Sequence, residues 1–70
     1  MASRIATYKF IDYKCYMAAR DRLDKDIGGS CYETTSYGDS ECYIHLLDSC
    51  SDPRLASQIC KGNGGEVYSW

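Results

Sequence analysis

Five cysteines, one histidine and a scatter of hydroxyls and carboxylates are what this 70-residue chain offers chemically. The cysteines stand at 15, 31, 42, 50 and 60. A structural zinc site draws its ligands as closely spaced pairs. Here there is no Cys-x-x-Cys, and His45 is the single imidazole, so the spacing does not read as a metal site. A cysteine nucleophile needs a base within hydrogen-bond reach. Cys42 and His45 have opposite parity on what reads as a strand, so they project to opposite faces. His45 and Asp48, with Ser49 and Ser51 nearby, have the side chains of an acid–base site but no nucleophile-elbow context. His45 therefore reads as an ordinary outward-facing strand residue. The run Gly62-Asn63-Gly64-Gly65 lacks the lysine and the following helix of a phosphate loop, and reads as a turn. No catalytic residue, cofactor or metal is expected. Disulfide chemistry remains, and a cysteine content of about 7% in a short chain points to an oxidising compartment. The odd count leaves at least one thiol free, buried or paired with another chain.

The elements that must position these residues centre on Glu41–Lys61. Cys42, Ile44 and Leu46 share one strand face, and Tyr43, His45 and Leu47 the other. Asp52 and Pro53 then open a helix over 53–61. Leu55, Ala56, Ile59 and Cys60 form its buried stripe, and Gly62 ends it in a left-handed conformation. Upstream, residues 5–13 predict a central strand. Residues 14–27 predict a helix with Tyr16, Ala19, Leu23 and Ile27 buried. Its outer face carries three opposite-charge pairs at i,i+4: Arg20–Asp24, Asp21–Lys25 and Arg22–Asp26. Residues 30–37 predict a strand that pairs with the next as an antiparallel hairpin, and residues 66–70 a last strand. The expected whole is one α+β domain over residues 1–70, with residues 1–4 an added or flexible tail. Its plan is a ferredoxin-like β-α-β-β-α-β sandwich: a four-stranded antiparallel sheet in order 4-1-3-2 with two helices on one face.

That plan sorts the cysteines by end of the sheet. Cys31 begins the second strand and Cys50 follows the third, so they are neighbours and are expected to form a disulfide around an 18-residue hairpin segment. Cys15, Cys42 and Cys60 compete at the other end. Cys15–Cys60 is the expected second pair, with Cys42 a buried free thiol.

Eight basic and ten acidic residues give a net charge of −2, with the signs interspersed. This excludes the electrostatic footprint of a nucleic-acid binder and a polybasic membrane arm. No apolar run is long enough to span a bilayer. Met1-Ala2-Ser3 has no apolar leader core, so a secreted form would be the mature chain. Seven tyrosines and one tryptophan remain. With both helices on one sheet face, Tyr32, Tyr43, Tyr68 and Trp70 form a candidate partner surface, because tyrosine and tryptophan are favoured at protein interfaces. The same rings would otherwise shield the backbone of a small domain.

The element order, the tyrosine content and the cysteines at helix and strand ends resemble the killer-toxin-like secreted effectors of fungi, an α/β-sandwich family. The resemblance implies a secreted, non-enzymatic virulence protein that binds a host or competitor-cell target. A monomer or weak dimer is expected. It implies no catalytic residues. The competing expectation is an intracellular ferredoxin-like binding or regulatory module with reduced cysteines.

Overall fold

Alternation builds the sheet. In the strand Cys42–Leu47, the side chains of Cys42, Ile44 and Leu46 are completely buried. Ala6, Tyr8 and Phe10 are likewise buried in Arg4–Phe10. The period of two places these six residues on one face, which must be covered. The structure, a computed structural model, describes residues 3–69. In chain order it contains β1 (Arg4–Phe10), α1 (Tyr13–Asp26), a 3₁₀ turn (Gly29–Cys31), β2 (Tyr32–Ser36), β3 (Cys42–Leu47), α2 (Pro53–Gly62) and β4 (Glu66–Ser69). The strands form one antiparallel sheet in the order β2-β3-β1-β4. Tyr16, Ala19 and Leu23 of α1 and Ala56, Ile59 and Cys60 of α2 complete the core against the even-numbered face. Each fully buried Leu, Ile or Phe side chain there contributes about 1.5–3 kcal/mol of transfer free energy.

Both helices start on aspartate caps. The Asp12 carboxylate accepts from the Lys14 N–H at 2.9 Å, and the Asp52 carboxylate from the Leu55 N–H at 3.1 Å. Each satisfies a donor that the first helical turn leaves orphaned. Asp12 also explains why β1 stops at Phe10 rather than running to residue 13: the cap needs extended backbone before the first turn, and Tyr13 is already helical. The helix ends use glycine differently from expectation. Gly62 is the last helical residue, and the left-handed position falls on Gly64, at φ 88°.

Residues 3 and 4 are not a loose tail. The Ser3 N–H donates to the Asp48 carboxylate at 3.1 Å, and the Asp48 N–H donates to the Ser3 carbonyl at 2.9 Å. Met1, Ala2 and Trp70 lie outside the described residues. The register of β1 against β3 slips between Arg4, opposite Leu47, and Ala6, opposite Leu46. This bulge gives Ile5 no partner and places Arg4 and Thr7 on the same, helix-free face.

Of the three expected charge pairs on α1, Arg22–Asp26 is the ion pair formed among the described residues, at 3.1 Å. Arg20 instead lies over the Tyr16 ring, 5.5 Å from its centroid. Asp24 accepts a 2.6 Å hydrogen bond from the Tyr32 hydroxyl.

Candidate functional site

The helix-free face is built from the odd residues of the central strands and their hairpin partner. Pairing places Thr7 opposite His45, Glu33 opposite His45 on the other side, and Thr35 opposite Tyr43. His45 is 6% exposed. Its Nδ1 lies 2.9 Å from Thr7 Oγ1 and its Nε2 2.8 Å from Thr35 Oγ1. A neutral imidazole donates from one nitrogen and accepts at the other, and a hydroxyl suits either role. Burial is the main cause that pulls the His45 pKa below its ordinary value; nearby Arg4 adds to it and Glu33 opposes it. The ring is thus a neutral, clamped bridge between β1 and β2. The expectation of an ordinary outward-facing histidine is corrected: the face is right, but the side chain is buried and engaged.

Tyr43 is the hub above this bridge. Its ring runs nearly parallel to that of His45, 6.2 Å away at 9°. Tyr37 and Tyr68 meet it edge-on, at 5.9 and 5.2 Å. Such contacts contribute about 0.5–1.5 kcal/mol each beyond area burial. Arg4 Nε donates to Glu33 Oε1 at 2.7 Å at one rim, and this contact holds the Glu33 carboxyl below its usual range. Arg4 and the four rings, with Thr7 and Thr35, line a concavity of about 320 Å³. Tyr37 and Tyr68 remain exposed.

The expected partner residues separate. Tyr43 and Tyr68 sit on this face. Tyr32 does not: it pairs with Leu46, on the helix side, and its hydroxyl ties β2 to Asp24 of α1. The reason is parity, since Tyr32 and Tyr43 fall on opposite sides of the hairpin's pleat. Trp70 lies outside the described residues. Arg4, Thr7, Glu33, Thr35 and Tyr37 were not singled out by sequence. Four of them carry a legible signal, the strand parity they share with Tyr43 and His45. Arg4 carries none, because the bulge that delivers it is a register slip.

All five cysteines are free thiols, so neither Cys31–Cys50 nor Cys15–Cys60 is bonded. Cys31 and Cys50 are nevertheless neighbours. Ser49 Oγ donates to the Ser30 carbonyl at 3.0 Å, tying together the residues just before each cysteine. Burial pushes the Cys31 thiol up to about 12, with the adjacent Cys50 thiol adding to the shift. Cys15 has a different neighbour from the one expected. Its Sγ would lie 3.7 Å from a Cβ on Gly64, in the turn beyond α2, while Cys60 is sealed in the core. Burial, with Cys31 adding, pushes Cys60 up to about 12 as well. Thiols with such values are protonated at neutral pH and are poor nucleophiles. Cys42 is buried on the helix side, its thiol donating to the Gly38 carbonyl at 3.3 Å. Asp48 and Ser49 are committed to Ser3 and Ser30, away from His45. Among the described residues no group of three or more metal-ligating side chains converges, and no helix is long and apolar enough to cross a membrane. No family model, curated protein or solved structure matches this chain.

Proposed function

We propose that this chain is a non-enzymatic binding protein that engages a protein or cell-surface target through the helix-free face of its sheet. The observation that carries the reading is Tyr43 held between Tyr37 and Tyr68 over a hydrogen-bonded His45 floor. Tyrosines fixed by their neighbours give a partner large contact area at low entropic cost, which is the chemistry of an interface hot spot. The arrangement of strands and helices fits a ferredoxin-like sandwich. In this reading the protein is secreted and acts like a killer-toxin-like effector. The adjacency of Cys31 and Cys50 supports that setting, because an oxidising compartment would close the pair. Labelled chain is applied to intact cells with and without excess unlabelled chain. Saturable binding that is lost in Tyr43→Ala and Tyr68→Ala supports the proposal, whereas equal binding by the variants places the contact elsewhere.

The competing reading is an intracellular module with reduced cysteines. Intact mass after alkylation under unfolding but non-reducing conditions separates the two. Protection of two cysteine pairs supports the secreted form, and five alkylated thiols support the intracellular one.

A further inference from the structure

A second concavity, of about 460 Å³, lies on the opposite side of the molecule from the tyrosines, along the seam between α2 and the start of β1. Its exposed apolar lining is Ile5 and Pro53, with the buried Ala6 and Leu46 directly beneath. Its rim carries Arg54 and Lys61, both on α2. Neither cation forms an ion pair among the described residues. Arg54 sits in the first turn of α2, which contains no acidic residue. A cation there opposes the helix dipole. The one neighbouring carboxylate in the sequence, Asp52, is occupied as the helix cap. Ile5, the unpaired residue of the β1 bulge, presents its side chain to this groove and is 37% exposed.

We infer that this groove docks an acidic, apolar peptide segment of a partner protein. Charge complementarity selects that occupant. Arg54 and Lys61 are seven residues apart on one helix, so they stand about 10 Å apart along its axis. Two carboxylates two turns apart on a helical segment match that spacing, and the leucine-like side chains between them pack on the apolar lining. An anionic bilayer is a poorer occupant: recognition of that kind uses clusters of about four to eight cations. Two cations on a chain of net charge −2 do not supply one. The groove is distinct from the tyrosine face, so it stands or falls independently of it.

The probe is a synthetic peptide of leucine and glutamate at helical spacing, titrated into the ¹⁵N-labelled chain. The expected result is saturable amide shift changes at Ile5, Ala6, Arg54, Ser57 and Lys61. Affinity should fall as salt rises. Reversing both rim charges, in Arg54→Glu/Lys61→Glu, should weaken binding about tenfold or more, as rim charges govern encounter and register. Arg54→Gln/Lys61→Gln serves if the reversed variant does not fold. The inference is overturned by an absence of saturable binding, by shifts confined to other surfaces, or by equal binding of a peptide with lysine at every glutamate position. It is also overturned if phosphatidylserine vesicles shift these amides and the peptide does not, or if the same amides shift with chain concentration alone, which would assign the groove to a second copy.

Discussion

Two buried polar side chains in this chain have opposite fates. The Tyr8 hydroxyl is buried in the core without a hydrogen-bond partner, whereas both His45 ring nitrogens are engaged. A buried donor left unpaired costs about 1–3 kcal/mol, and removing it while keeping the ring recovers that cost. Tyr8→Phe is therefore expected to leave the melting temperature unchanged or raise it, as thermal denaturation will show. His45 predicts a pH dependence instead. Its folded pKa is lowered, so in the window just below its ordinary value the unfolded chain binds more protons than the folded one. The stability tied to the neutral ring is complete above about pH 6.5, the ordinary histidine value, and is lost as pH falls from there through the lowered folded value. Denaturant midpoints measured between pH 5 and 8 should decline at the acid end in the wild type, and decline less in His45→Gln. Sequence assigned His45 to the outer face. It did not show the burial, because that depends on Thr7 and Thr35 arriving from two other strands.

At the scale of elements, local signals carried most of the plan. The apolar stripes of α1 and α2, the aspartate caps and the alternation in β3 are each properties of a short segment, so each element was legible within a residue or a few. What local signals do not encode is register. The β1 bulge re-aims Arg4 toward Glu33, and nothing in the run Arg4-Ile5-Ala6 marks it. The i,i+4 charge rule likewise yielded to tertiary partners at Arg20 and Asp24, which turn to Tyr16 and Tyr32. Packing of the last turn onto the sheet provides the test at this scale. A Cβ on Gly65 would lie 2.7 Å from the Cys60 carbonyl oxygen and 2.7 Å from Phe10 Cζ, with the Phe10 ring fixed in the core. Gly65→Ala is thus expected to destabilise by about 1–3 kcal/mol through overpacking, a loss read from urea denaturation.

For the whole molecule, size sets the terms. A chain of 70 residues measuring 28 × 21 × 16 Å has little core, and stability near the lower end of the usual range, about 5 kcal/mol, is expected. The helix-free face of so small a molecule is itself small. In the proposed reading, binding through it rests on a few fixed rings. The candidate site was legible in part: tyrosines on the uncovered face, but with Tyr32 on the wrong side and the Arg4–Glu33 rim unseen. The cysteine placement was legible as adjacency of Cys31 and Cys50, not as a bond, because bonding depends on redox conditions as well as geometry. The most direct test of the central claim is a selection of binders from a random-peptide library on the immobilised chain, re-measured against a Tyr43→Ala/Tyr68→Ala variant of unchanged circular dichroism. The account predicts that most selected binders lose at least about tenfold in affinity, as truncation of hot-spot aromatics does. Affinities that are the same for the variant and the wild type would contradict it.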